Sequence, residues 1–175
     1  ANLERRAGRG WPRDPDGAAL YPGACRDGCV DPVRESVAFR LDMAKALAAV
    51  GEGLSYVRED EEGAVVTATA DPARWGDVVL ARKETPTSYH LSVVVDDALQ
   101  GISHVTRGTD LEAATDIHVL LQRLLGLPTP VYRFHALITD ETGAKLAKSR
   151  GSEALADLRA RGVTPAETRA ALGFA

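Results

Sequence analysis

The sequence carries two cysteines, Cys25 and Cys29, too few for a disulfide framework, which excludes a small secreted scaffold held together by cross-links. The two thiols are left as a reduced pair or as half of a metal site. No apolar run approaches the ~18 residues of a membrane span, and residues 1–13 contain arginines but no apolar signal-peptide core. The expectation is a cytoplasmic protein with no membrane partner. An excess of positive charge is also missing. Lys+Arg 21 against Asp+Glu 25 gives a formal net charge of −4, which excludes a protein that coats phosphate backbones with its whole surface. Any nucleic-acid contact falls to a local patch, such as the cluster of Arg5, Arg6, Arg9 and Arg13. There is no glycine-rich phosphate loop of the Walker or dinucleotide type, no legible Ser-His-Asp arrangement, no internal repeat and no low-complexity tract. His90, His104, His118 and His135 lack the spacing of a metal cluster, and a histidine on an apolar face is more often a satisfied core residue than a ligand.

What is present is a globular composition: 175 residues at 45% hydrophobic suffice for a real core in one domain or two small ones. Residues 1–31 show neither a period of 2 nor one of 3.6 and read as an irregular segment needing outside support. Residues 35–42 (ESVAFRLD) alternate like a strand, and 43–50 (MAKALAAV) favour a helix stopped by Gly51. Residues 55–59 and 64–70 predict a hairpin around the turn at 60–63. Residues 77–83 and 88–96 predict a second hairpin, its latter strand apolar through Leu91, Val93, Val94 and Val95 as if both faces were covered. A strand over 102–106 precedes a helix over 110–125, with Leu111, Ala114, His118, Leu121 and Leu125 on one face and Gly126 as its stop. A strand over 131–139 ends in a turn at 140–143, and a short helix runs to Arg161. The last helix is marked by Thr164 as N-cap, Pro165 at its first position and Glu167 completing a capping box. The fold class is α/β with an antiparallel insertion.

Three constellations carry chemistry. Lys145-x-x-Lys148-Ser149 sets two ammonium groups and a hydroxyl on a loop, which suits a polyphosphate whose charge grows during reaction; a solvated loop is the plain alternative. Arg107 ends a strand that follows the apolar segment bearing Tyr89, where it can hold a carboxylate bidentately; alternatively it pairs with Asp96, Asp97 or Asp110 as structural glue. Cys25 and Cys29, with Tyr21 before them, can begin a zinc site, but zinc takes four ligands and this segment offers at most three. Two free thiols is the plainer reading of these residues alone.

Four segments, 75–80 (WGDVVL), 87–97 (TSYHLSVVVDD), 101–111 (GISHVTRGTDL) and 143–149 (GAKLAKS), resemble in order and spacing the class I aminoacyl-tRNA synthetases of the glutamyl branch, over about residues 75–175. Within that branch the chain is most similar to the shortened paralogues that attach activated glutamate to the queuosine base of tRNA(Asp). Residues 21–26 (YPGACR) resemble the second half of their zinc motif, and the short stretch after Ser149 leaves no anticodon-binding domain. The resemblance implies that Tyr89 and Arg107 bind L-glutamate, with Arg107 on a carboxylate. It implies that residues 145–149 are the KMSKS-type loop, with Lys145 and Lys148 catalytic and Lys148 on ATP, although Leu146-Ala147 stand where that signature has Met-Ser. It makes Tyr21 and Cys25, not Cys29, zinc ligands, and it implies ATP, L-glutamate and tRNA(Asp) as partners of a monomer.

The fold implied is part of the class I nucleotide-binding, Rossmann-like fold. Residues 1–32 are a remnant of the zinc segment, 33–100 an acceptor-binding α/β insertion, 101–150 the second half of the nucleotide fold, and 151–175 a short helical end. The HIGH-type signature, the first strand and helix of that fold, and the Cys-x-Cys half of the zinc motif are not in the sequence. The isolated 175 residues are therefore expected neither to activate glutamate nor to hold zinc firmly. Two other readings stay open: a catalytic-core piece of a glutamyl-tRNA synthetase, and a non-catalytic, stand-alone tRNA-binding remnant.

Overall fold

The computed structural model describes residues 10–26, 37–60, 62–140, 142–147, 151 and 153–174. The chain divides into two compact units, Ala1–His135 and Ala136–Ala175. The larger holds strands β1 (Phe39–Arg40), β2 (Ser55–Glu59), β3 (Val65–Thr69), β4 (Val79–Ala81), β5 (His104–Gly108) and β6 (Val131–His135), with helices α1 (Met43–Val50), α2 (Tyr89–Leu99) and α3 (Thr115–Leu125). The smaller holds α4 (Leu155–Ala160) and α5 (Pro165–Ala171). Among the described residues no helix is long and apolar enough to cross a membrane.

The main sheet runs β3-β2-β6-β5, with β2 antiparallel to β3 and both β2 and β5 parallel to β6. The mixed α/β reading with a parallel sheet is what the chain adopts. The β2–β3 hairpin forms where expected, because Gly63 takes φ +84° and the Asp60 carboxylate accepts from the Ala64 amide at 2.7 Å. Parallel β5 and β6 need a crossover, and α3 supplies it. Residues from Thr115 to Gln122 along α3 are all buried, since α1, α2 and the short 3-10 turn Pro72–Trp75 pack around it. The core gathers Met43 and Ala46 of α1, Val94 of α2, Ile117 and Leu120 of α3, and Tyr132 and Phe134 of β6.

The segment 75–80 turns out to tie the irregular N-terminal stretch to this core. The indole nitrogen of Trp75 donates to the Asp116 carboxylate at 3.4 Å. Gly76 takes φ +58°, a conformation that favours glycine, and a Cβ there would meet the Leu20 side chain at a tight 3.3 Å. The buried Asp77 carboxylate then accepts from the Met43 amide at 3.0 Å and from the Arg26 guanidinium, while Arg40 donates to the Asp77 carbonyl at 2.7 Å.

Several elements differ from expectation. Residues 88–96 are not a strand: they belong to α2, so the second hairpin does not exist. Ser88 caps this helix by accepting from the Leu91 amide, and Leu91, Val94, Val95 and Ala98 recur at helical spacing with Val94 at the centre. Of 35–42, the described part is strand at Phe39–Arg40 only, because Asp42 is already the N-cap of α1. The strand expected over 77–83 shortens to β4, which pairs with β1 apart from the main sheet. The strand expected over 102–106 sits later, at His104–Gly108, and the helix over 110–125 is a 3-10 turn, Thr109–Leu111, followed by α3. Of the face named for that helix, Ala114, His118 and Leu121 are buried while Leu125 is half exposed, and Gly126, φ +65°, ends the helix as expected. β6 stops at His135, and Thr139 bridges Lys145 separately.

In the smaller unit α5 forms as its signals dictate. The Glu167 amide donates to the Thr164 hydroxyl at 3.2 Å, and the Glu167 carboxylate accepts from the Thr164 amide at 2.8 Å. No residue of α4 or α5 is buried.

Candidate active site

Arg107 stands near the carboxyl end of β5, opposite Phe134 of β6, with its guanidinium over the rings of Tyr132 and Phe134 at 5.0 and 5.6 Å. It is 8% exposed. Its Nη1 lies 3.0 Å from Nδ1 of His118, its Nη2 donates to the Thr115 hydroxyl, and its Nε is buried with no hydrogen-bond partner. None of Asp96, Asp97 and Asp110 pairs with it, and among the described residues no carboxylate does. Burial raises the pKa of Asp97, and the charge of Arg107 opposes that rise without forming a pair. Arg107 therefore makes none of the ion pairs expected of structural glue, and this buried cation has uncharged hydrogen-bond partners and an Nε with none.

Thr115 and His118 reach the same guanidinium because they lie on one face of the first turn of α3. A guanidinium can only donate, so Nδ1 of His118 accepts and the ring carries its proton on Nε2. That Nε2 lies 3.1 Å from Nδ1 of His90, which accepts in turn. Tyr89, half exposed at the start of α2, sets its ring edge-on to His118 at 5.6 Å and to His90 at 5.5 Å. The fold thus brings Tyr89 and Arg107 to the same histidine. Sequence reasoning gave His90 and His118 alike the reading of satisfied core histidines rather than ligands. Both prove to join the site, and no local pattern announces it, since their partners come from three different elements.

Burial, with Arg107 and His90 adding to it, drives the His118 pKa from its ordinary 6.5 down to about 2. The unfolded chain therefore binds a proton below pH 6.5 that the folded chain refuses, so the contribution is fully present above 6.5 and is lost as pH falls toward 2. Going from neutral pH to about pH 5.5 is expected to cost about 1.4 kcal/mol of stability from this residue. His90, lowered chiefly by burial, acts in the same direction. Denaturant midpoints at the two pH values check this, with His118→Asn expected to flatten the dependence.

Tyr21 and Cys25 are also brought together: the Cys25 amide donates to the Tyr21 hydroxyl at 2.7 Å, and the Arg40 guanidinium sits 4.7 Å above the Tyr21 ring. The side-chain hydrogen bond with Cys25, together with desolvation, raises the Tyr21 pKa. Cys25 is an exposed free thiol, and Cys29 lies outside the described residues. Among the described residues no group of three or more His, Cys, Asp or Glu side chains can hold a metal ion. Tyr21 and Cys25 supply two of the four donors zinc takes, and the Cys-x-Cys half is not in the sequence, so the site among the described residues is incomplete. Lys145 lies in a tight turn, bridged to Thr139 and shaped by the Asp140 carboxylate, which accepts from the Thr142 and Ala144 amides at 2.9 Å. Lys148 and Ser149 lie outside the described residues.

Residues 48–174 match the family described as tRNA synthetases class I (E and Q), catalytic domain. A protein of Rhodobacter capsulatus named glutamyl-Q tRNA(Asp) synthetase is 49% identical over 94% of this chain and 60% of its own length. One of the same name from Verminephrobacter eiseniae is 39% identical over 80% of this chain and 46% of its own length. The chain therefore spans about half the length of these curated relatives. A glutamate-tRNA synthetase from Elizabethkingia anophelis, known from its crystal structure, is 21% identical, with a TM-score of 0.48 over 77% of this chain and 28% of that one.

Proposed function

Since the chain belongs to the class I tRNA synthetases (E and Q), catalytic domain, we propose that the protein containing it activates L-glutamate with ATP and transfers it to tRNA, at the queuosine base of tRNA(Asp). The single observation that carries this reading is Arg107: a buried guanidinium whose hydrogen-bond partners are uncharged and whose Nε has none. Burying such a charge is costly, and a substrate carboxylate offsets the cost with a charge-assisted, bidentate pair. Tyr89 sets a half-exposed ring against His118, the histidine that bonds Arg107. Neutral donors alone would hold a carboxamide as well as a carboxylate, whereas a guanidinium favours the carboxylate.

In this reading no protein nucleophile takes part. A glutamate carboxylate oxygen attacks the α-phosphorus of ATP, the bond to the bridging oxygen breaks, and pyrophosphate leaves with its electron pair. Lys145 and Lys148 are the cations assigned to the triphosphate in this reading, opposing the negative charge that builds on the departing group, so their effect is larger in the transition state than in the bound ground state. A hydroxyl of the tRNA then displaces AMP from the adenylate.

The test is glutamate-dependent exchange of labelled pyrophosphate into ATP by the full-length protein, followed by transfer of labelled glutamate to tRNA(Asp) with and without queuosine. Label that requires queuosine supports the proposal. Label on tRNA(Glu) instead would assign the activity of a glutamyl-tRNA synthetase, and no exchange at all would leave a tRNA-binding role. The isolated 175 residues are expected to give no exchange, since the sequence holds no HIGH-type half of the ATP cradle.

A further inference from the structure

We infer that His118 is the positioning residue of Arg107, and that it acts as the middle of a donor chain running from Arg107 to His118 to His90. This rests on the reading of Arg107 as the group that holds the glutamate carboxylate.

Arg107 has donors on three nitrogens, and the fold uses two of them: Nη1 toward His118 and Nη2 toward Thr115, leaving Nε. Both acceptors are almost fully enclosed, His118 at 1% and Thr115 at 0% exposure, and both are uncharged. A carboxylate in either place would orient the guanidinium equally well, but it would also neutralise it and compete with the substrate. Uncharged acceptors fix the direction of the fork and leave its charge for the ligand. The site is thereby organised before glutamate arrives, so binding need not freeze a flexible arginine.

This works with one tautomer of His118. Nδ1 accepts from Arg107 only when the proton is on Nε2, and His90 places an acceptor, its Nδ1, 3.1 Å from that Nε2. A histidine that merely filled the core would pair its nitrogens with backbone or water. Both nitrogens of His118 instead face side chains of the site, and its ring also meets Tyr89 edge-on at 5.6 Å. His90 is held in turn by its place in the first turn of α2 and by Trp75, whose ring stands edge-on to it at 5.8 Å. Helix α3 cannot shift to compensate, because Ile117 and Leu120 on either side of His118 are fully enclosed.

The experiment is pyrophosphate exchange with the full-length enzyme, titrating glutamate and ATP separately for His118→Leu, His118→Asn, His90→Phe and Arg107→Gln. Leucine removes both hydrogen bonds, whereas asparagine puts a carbonyl oxygen near the position of Nδ1 and restores the bond to Arg107. The expected result is a glutamate KM raised about tenfold in His118→Leu with the ATP KM unmoved, most of it recovered in His118→Asn, and a smaller rise in His90→Phe. An unchanged glutamate KM in a folded His118→Leu overturns the inference. So does a parallel rise in both KM values that asparagine fails to rescue, which would mark a structural role. If His118→Leu does not fold, ring nitrogen resonances of the parent protein decide instead: proton on Nε2 of His118 supports the chain, and proton on Nδ1 refutes it. Arg107→Gln separates the two levels. An unmoved glutamate KM there removes the underlying reading, while a raised one alongside a normal His118→Leu removes this inference alone.

Discussion

On the proposed function, replacing Arg107 by glutamine in the full-length protein is expected to lower kcat/KM for glutamate by about a hundredfold or more, chiefly through KM. Removing one side of a buried, hydrogen-bonded charge pair costs about 2–5 kcal/mol, and each 1.4 kcal/mol is about a factor of ten. The estimate applies because Arg107 is 8% exposed and its bonds to His118 and Thr115 neutralise nothing, which leaves its charge to the carboxylate proposed as its ligand. Arg107→Lys keeps the charge but loses the fork. It is expected to recover only a small part of the loss, since one ammonium cannot bond His118, Thr115 and a carboxylate in the geometry a planar group allows. The fold is expected to survive the glutamine substitution, because an unpaired buried cation is a liability to the empty protein. Glutamate titrations of the exchange rate and a thermal scan check both halves. A loss of kcat/KM below about threefold would remove Arg107 from the site.

The parts of this chain that sequence displays are those decided within a few residues. Thr164, Pro165 and Glu167 specify the start of α5 because a capping box is complete in one turn. Ser55 to Thr69 reads as a hairpin because Gly63 supplies the turn that Asp60 closes. Tyr21 and Cys25, four positions apart, meet through a local hydrogen bond in the same way. Residues 88–96 mislead because Val93, Val94 and Val95 are β-branched and consecutive, which imitates a strand covered on both faces. The helix they form is decided by Ser88 at its start and by α3 behind Val94, the latter a tertiary contact. Arg107 is legible as a strand-end arginine, yet its partners are not: Thr115 and His118 reach it because α3 is the crossover between β5 and β6. His90 reaches the site because α2 replaces the expected strand. The cluster around Arg107 assembles because the segment carrying Tyr89 and His90 is a helix.

Lys148→Ala is expected to produce the other large effect, and of a different kind. Arg107 is proposed to act on a carboxylate that carries its charge both free and in the transition state, so its loss is expected to fall mostly on KM. Lys148 is proposed to act on charge that grows as pyrophosphate departs, so its loss is expected to fall on kcat, by about 10²- to 10³-fold, as when one preorganised donor is removed from a developing anion. The glutamate KM is expected to stay within about threefold of the parent value. Lys148→Arg, which keeps the charge on a different geometry, is expected to lie between parent and alanine variant. Lys145→Ala is expected to cost less, because Lys145 sits in the turn shaped by Asp140, where its backbone already bridges Thr139. Single-turnover formation of the adenylate measures the chemical step directly and separates it from release of products. A parent-like rate in Lys148→Ala would take the loop out of the mechanism, and a loss confined to glutamate KM would move Lys148 from the triphosphate to the amino acid.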